Sequence, residues 1–423
     1  MSMTMDSVLK PWAERLRRHS NLPVLVHWGQ ASVALGAQDS SSWRLGDFEK
    51  PKVVITIQSP RALPLLISPS LESLGEAYVE GWIDVQGRIE DILEVAHRMA
   101  ESGMGLWQGV CTGGKYMRQM VRQFTHTPQS DREAIAHHYD VSNAFYQAWL
   151  DPAMVYSCAY FEHGDETLEQ AQIKKIDHIL TKLQLRPGQH LLDIGCGWGA
   201  LVMRAASKFG ARCVGITLSK AQFELARERV KEAGLQHLVD IRLQDYREVT
   251  GQFDRISSVG MFEHVGLLHL PEYFQIIHRL LTDEGWVLNH GITSTDGRNG
   301  ETPLGGGRFI DRYVFPQGEL PHLSTVLHAM HQGQLEAVDI EGLRPHYART
   351  TRMWSQNFEA AEHRLRQLVD DKRWRIWRVY LAGCQWAFEH NEISIYQVLC
   401  RKAGLSTMGQ PWSRGWMYRK SST

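Results

Sequence analysis

From His190 onward the chain alternates between two hydrophobic rhythms. Short apolar runs, "HLLDIG", "RCVGIT", "VDIRLQ", "FDRISSV" and "GWVLNHGIT", read as buried strands. Between them "GALVMRAASKFG", "KAQFELARERVKEAG" and "PEYFQIIHRLL" read as helices. Gly210 and Gly234 close the first two helices, and Ser219 opens the second as its N-cap. Such alternation predicts a doubly wound parallel sheet covered by helices on both faces. Ligands in sheets of this kind sit at the carboxyl ends of the strands. Ahead of this region, residues 131–150 and 165–184 predict helices.

The first hundred residues have a different texture. "VLVHWGQASVAL" and "KVVITIQS" predict strands, while "LESLGEAYVEGWIDVQG" and "RIEDILEVAHRMAES" predict helix with turns. From 103 to 129 the period blurs, apart from one basic amphipathic stretch, "KYMRQMVRQF" at 115–124. The pattern therefore divides the chain into a small α+β domain (1–105), a linker with a basic helix (106–130) and a larger α/β domain (131–423).

Composition narrows the function classes. The chain has 423 residues, more than one ordinary core accommodates. A formal net charge of -1 gives no global field for nucleic acid, so affinity for an anionic surface must come from local patches. Six cysteines form no C-x-x-C pair, which argues against a zinc site or disulfide scaffold and favours a reducing compartment. No run approaches the roughly 20 apolar residues of a membrane span, and the N-terminus lacks a signal-peptide core. These features predict a cytoplasmic protein.

The densest candidate chemistry is "HLLDIGCGWG". A strand and an acid, Asp193, lead to Gly195, Gly197 and Gly199 and then a helix. Glycines at this spacing allow a tight turn and let a ligand lie against the backbone. No Lys-Ser/Thr pair follows, as a phosphate-binding loop requires, and the G-x-G-x-x-G spacing of dinucleotide sites is absent. A ligand without phosphates fits better. The next strand ends "GITLSKAQ", where Thr217 and Gln222 offer hydrogen bonds to it, although Ser219-x-x-Gln222 is also the spacing of a capping box. Asp245, in "LQDYRE", follows the third strand.

"LLDIGCGWG" resembles the first motif of S-adenosylmethionine-dependent methyltransferases, which implies a Rossmann-like class I methyltransferase fold. In order along the chain come "HYD", "YSCAY", the glycine loop, "TLSKAQ" and "FEH". The combination resembles the cyclopropane-fatty-acyl-phospholipid synthases and the related mycolic acid cyclopropane synthases, over roughly residues 130 to 400. "GEAYVEGWID", 76–85, is similar to a segment of the extra N-terminal domain of the phospholipid enzymes. The resemblance implies S-adenosylmethionine along Tyr156, Ser157, Asp193, Gly195, Cys196, Gly197, Thr217, Gln222 and Asp245. The chain departs from that class in one respect: no acid ends the second strand for the ribose hydroxyls.

The implied reaction moves a methylene group onto a cis double bond of a phospholipid acyl chain. The carbocation formed must be shielded from water and must lose a proton before the ring closes. In the resembling enzymes a bound bicarbonate is the base, and its ligands match Cys158, Glu263, His290, the backbone of Ile292, and Tyr347. Singly, each residue also fits a plainer role: Cys158 a small buried hydrophobe, Glu263 a helix N-terminal charge, His290 a core histidine, Tyr347 ordinary packing. Cys384 corresponds to a cysteine proposed as an active-site residue in the family. Its helical spacing with Leu381 and Phe388 equally suits core packing, and no charged neighbour in sequence lowers its pKa.

The resemblance also implies a homodimer and peripheral contact with a phospholipid bilayer. Two basic and aromatic stretches suit that surface: 115–124, with Lys115, Arg118 and Arg122, and 411–420, with Trp412, Trp416, Arg414, Arg419 and Lys420. A glycine-rich stretch at 293–321 interrupts the sheet pattern and reads either as a mobile connection or as a helical insert. Two alternative functions share these features: an enzyme giving a methyl-branched or N-methyl product, and a module that binds cofactor or lipid without turnover.

Overall fold

The structure is a computed structural model, and it describes residues 5–29, 42–103, 141–297, 306–314, 319–406 and 410–418. The chain divides into two compact units. One gathers Met1–Gln119, Glu301–Pro316 and Val369–Trp386; the other gathers Met120–Gly300, Gln317–Leu368 and Ala387–Thr423. This differs from a division at 105 and 131, because two later segments join the N-terminal residues. The expected basic helix at 115–124 and the "HYD" motif lie outside the described residues.

The first unit holds a four-stranded sheet of β1 (Val24–Trp28), β2 (Ser42–Arg44), β3 (Val53–Ile57) and β4 (Ile83–Gly87), in the order β2-β1-β3-β4. Helices α1 (Met5–Ser20), α2 (Leu63–Ile67), α3 (Leu71–Val79) and α4 (Ile89–Gly103) complete its N-terminal part. The stretch expected as helix with turns is in fact helix α3 followed by strand β4. Gly81, at φ 69°, turns the chain, and Ile83 then pairs with Ile57. Within the glycine-rich interruption, Gly306–Tyr313 is a helix. It packs on α3 through Phe309, whose ring a Cβ on Gly75 would meet at 2.8 Å, and through Arg308–Glu72 and Arg312–Glu76 pairs. The insert reading therefore holds for 306–313.

The second unit carries the seven-stranded sheet. Its strands are β5 (His190–Ile194), β6 (Arg212–Thr217), β7 (Val239–Leu243), β8 (Phe253–Val259), β9 (Leu281–Ser294), β10 (Leu335–Gly342) and β11 (Ile393–Lys402), in the order β10-β11-β9-β8-β5-β6-β7. From β7 to β9 the pairings are parallel; β11 runs antiparallel to both β9 and β10. The expected all-parallel sheet is thus mostly parallel with an antiparallel end.

Alternation along β5 sends Leu191 into one core and Leu192 into the other. The first core is covered by α5 (Leu168–Lys182), α6 (Ala200–Phe209) and α7 (Lys220–Glu232). The second lies under α8 (Leu270–Leu280) and α9 (Leu323–Gln332). Successive strands leave β5 in opposite directions, β6 on one side and β8 on the other. The crevice of a doubly wound sheet opens at such a switch point, and the glycine loop leaves β5 there.

Candidate active site

A cleft at the carboxyl ends of β5, β6 and β8 is lined by Tyr156, Ser157, Asp193, Gly195, Cys196, Gly197, Thr217 and Gln222. Eight of the nine expected cofactor residues are therefore together. Gly195, Gly197 and Gly199 hold φ of 81°, 54° and 84°, which only glycine adopts cheaply. A Cβ on Gly197 would meet nothing within 4 Å, so the loop presents a bare backbone to the cleft. Asp193 is 3% exposed and accepts from Ser257 Oγ at 2.7 Å. Burial pushes its carboxyl up to about 6.

Two residues differ from the sequence reading. Ser219 Oγ does accept from the Gln222 N–H, but no capping box closes. The Gln222 side chain turns to Thr217, whose Oγ1 donates to Gln222 Oε1 at 2.8 Å. Asp245 is not part of the lining. Its carboxylate is held by Arg247 Nε and Nη2, both at 2.9 Å, and caps the turn Tyr246–Glu248. Gln244 and Tyr246, its neighbours, line the cleft instead.

Helix α5 contributes residues that sequence reasoning missed. Gln172, fully buried, donates Nε2 to the carbonyls of Val155 and Ser157 at 3.2 and 2.8 Å. Lys175, one turn on, donates Nζ to Ser157 Oγ at 2.8 Å. Together they fix the Tyr156–Ser157 segment that walls the cleft. The available signal was two polar residues set among Ala171, Ile176 and Ile179 in the buried stripe of α5.

The second expected group lies along a connected path. Ile292 N–H donates to Glu263 Oε1 at 2.7 Å, so that backbone donor is committed to the carboxylate. Ile292 pairs with Ile395 across β9 and β11, and Ile395 O accepts from Leu343 N at 2.9 Å. Leu343 O in turn accepts from Tyr347 N at 3.1 Å and from Cys158 Sγ at 3.9 Å. Tyr347 lies on α10 (Arg344–Ala360). His290 is on β9, two residues before Ile292. Gly291 between them allows Phe262 to approach: a Cβ there would meet the ring at 2.2 Å.

Both acid–base groups are buried and half satisfied. Glu263 Oε2 and His290 Nε2 have no hydrogen-bond partner among the described residues. Desolvation pushes Glu263 up to about 7 and holds His290 well below the ordinary imidazole range, hence neutral. Cys158, 0% exposed, is pushed far up and stays a thiol. Cys384 belongs to the first unit, on the helix Asp371–Glu389. Burial pushes it up to about 12, which removes the thiolate a nucleophile needs.

Aromatic rings join the two groups. Tyr156 of the cleft lies 5.2 Å from Trp354, and Trp354 lies 5.8 Å from Tyr347. The C-terminal aromatics are partly spent on the core: Arg414 pairs with Asp339 and Trp416 packs at 6.3 Å from Trp286. Trp412 is fully exposed.

The strand order, the switch-point cleft and the bare glycine loop define a class I methyltransferase fold. The cleft fits S-adenosylmethionine: it offers hydrogen-bonding groups on three strand ends and a surface that any side chain on Gly197 would fill. The family model described as "Mycolic acid cyclopropane synthetase" matches residues 126–398, and the chain belongs to that family. A second model, a domain of unknown function, matches 21–106. A "Probable fatty acid methyltransferase" of Pseudomonas putida is 45% identical, over 95% of this chain and 100% of its own length. The cyclopropane-fatty-acyl-phospholipid synthase of Escherichia coli is 34% identical, over 82% of this chain and 87% of its own. The crystal structure of a mycolic acid cyclopropane synthase complexed with SAH and CTAB is 35% identical, with TM-score 0.62 over 64% of this chain and 98% of that one. The chain is therefore an S-adenosylmethionine-dependent methyltransferase of the cyclopropane synthase family.

Proposed function

We propose that this enzyme transfers a methylene group from S-adenosylmethionine to the cis double bond of an unsaturated phospholipid acyl chain, closing a cyclopropane ring with a bound bicarbonate as base. The observation that carries the reading is the pair of buried, unpartnered atoms Glu263 Oε2 and His290 Nε2. Buried polar atoms without partners are costly and point to a missing group. When bound, S-adenosylmethionine supplies the electrophilic methyl, and bicarbonate supplies a proton acceptor that is not itself trapped by the cation.

The chain's own residues do the rest. Gln397 Nε2 lies 3.3 Å from His290 Nδ1, and in the tautomer with its proton on Nε2 the His290 ring donates to an anion. Glu263, near its midpoint at neutral pH, accepts from or donates to the same anion. The rings of Tyr156, Trp354 and Tyr347 exclude water and offer π faces to a cation. Cys158, held as a thiol, does not compete as a nucleophile.

A second reading has one observation in its favour. The Pseudomonas putida relative, at 45% identity, is named a fatty acid methyltransferase, so a methyl-branched product from the same cation is the competing outcome. The proposed reading includes a cytoplasmic homodimer that meets the bilayer peripherally, with the basic stretch 115–124 in support. Among the described residues no helix is long and apolar enough to cross a membrane. The test is to offer purified protein and S-adenosylmethionine either vesicles of a cis-unsaturated phospholipid or the matching free fatty acid. Turnover on the vesicles with loss of the alkene is expected. Turnover on the free acid alone would overturn the phospholipid assignment.

A further inference from the structure

Lys175 is 2% exposed, yet its only hydrogen-bond partner among the described residues is the neutral hydroxyl of Ser157. Two of its three N–H groups are left over. Lys182, two turns along the same helix and 0% exposed, shows how a buried lysine is ordinarily accommodated: its Nζ pairs with Glu341 and Asp339. Among the described residues Lys175 has no such pair. The nearest acids are already engaged, Asp193 by Ser257 and Asp151 by the N–H groups of Ala153 and Val155. Burying an ammonium without a counter-charge costs several kcal/mol. The environment registers that cost by pushing Lys175 down to about 8. A hydroxyl partner alone does not offset it.

The missing anion has a place to sit. Lys175 and Ser157 line the cleft beside Gly195 and Gly197. Among the described lining residues Lys175 is the single lysine or arginine. Of the charged groups of S-adenosylmethionine, one is an anion: the α-carboxylate of its methionine part. We propose that Lys175, with Ser157, is the receptor for that carboxylate, and that it makes the cleft selective for adenosyl ligands that carry one. The proposal rests on the cofactor reading of the cleft and deepens it. Lys175 is here a binding residue and takes no part in the proton transfer.

The test is calorimetric and needs no turnover. The full chain is titrated with S-adenosylhomocysteine and with its decarboxylated analogue. A charge-assisted contact predicts that the wild type prefers the carboxylate ligand on the order of 10- to 100-fold. In Lys175→Met the two ligands should bind equally, at the level of the analogue. A Lys175→Met protein that keeps the preference overturns the proposal, as does one in which both affinities fall alike. Where Lys175→Met does not fold, Ser157→Ala decides: it removes one of the two proposed contacts and keeps the ammonium, so the preference for the carboxylate should shrink yet persist, and its complete loss would place the preference on Ser157 alone and overturn the role of Lys175. A wild type that binds the analogue as tightly as S-adenosylhomocysteine overturns the carboxylate role alone. A wild type that binds neither ligand overturns the cofactor reading with it.

Discussion

Glu263 holds a carboxyl group where water cannot reach it. The hydrogen bond from Ile292 N–H favours the charged form, but burial outweighs it and pushes the group from 4.5 up to about 7. The unfolded chain ionises Glu263 near the ordinary value, while the native chain keeps the proton until about 7. Stability from this group is therefore complete below about pH 4 and lost as pH rises toward 7. Glu263→Gln should unfold at a higher denaturant concentration than wild type at pH 8, by up to about 3 kcal/mol, and equally at pH 4. The same variant should lose turnover while binding S-adenosylhomocysteine normally; a loss of ligand affinity by calorimetry would remove Glu263 from the proton-transfer step. At this scale the sequence showed which residue types meet, since Tyr156, Ser157, Asp193, Gly195 and Gly197 all line the cleft. It did not show their pairings. Asp245 looked available because Arg247, two residues on, gives no sign in sequence of reaching back to it. Gln222 looked like a cap because its competition with Thr217 is a matter of side-chain direction.

Among the elements, α5 positions more than its surface pattern reveals. Its Gln172 holds the carbonyls of Val155 and Ser157, and Gln172→Leu leaves both buried acceptors unsatisfied. That variant should be destabilised by about 1–3 kcal/mol in urea unfolding and should bind S-adenosylhomocysteine more weakly. Unchanged affinity would mean the segment holds its place without α5. On β9 the close approach of Phe262 makes Gly291→Ala a test of placement: the ring must move, and Glu263 follows it in sequence. A drop in turnover with cofactor affinity preserved is expected. The strongly periodic elements, β5 to β9 and the helices between them, were legible because apolar runs and glycine or serine ends agreed. Strands β10 and β11 were not read. β10, "LEAVDIEG", is an edge strand with four exposed positions, so its apolar alternation is weak. β4 was merged into a helix because the turn at Gly81 is short.

For the whole molecule, the chain passes between the two units five times, and no local pattern announces that residues 301–316 and 369–386 group with the N-terminus. The proposed membrane contact rests on the basic stretch 115–124, so Lys115/Arg118/Arg122→Ala should weaken co-sedimentation with anionic vesicles, and unchanged sedimentation would remove that role. The proposed bicarbonate base belongs to this scale as well, since it would come from solution. Rigorously decarbonated buffer should slow turnover and added bicarbonate should restore it; full activity without it would sink the bicarbonate assignment. The central claim is that a cation is formed and then loses a proton from the transferred carbon. The most direct test is mass spectrometry of the acyl chains after reaction with S-adenosylmethionine bearing a fully deuterated methyl group. Retention of two of the three deuterium atoms, with the alkene gone, is the predicted result. Retention of all three in a methyl branch would contradict ring closure and with it the role given to Glu263 and His290.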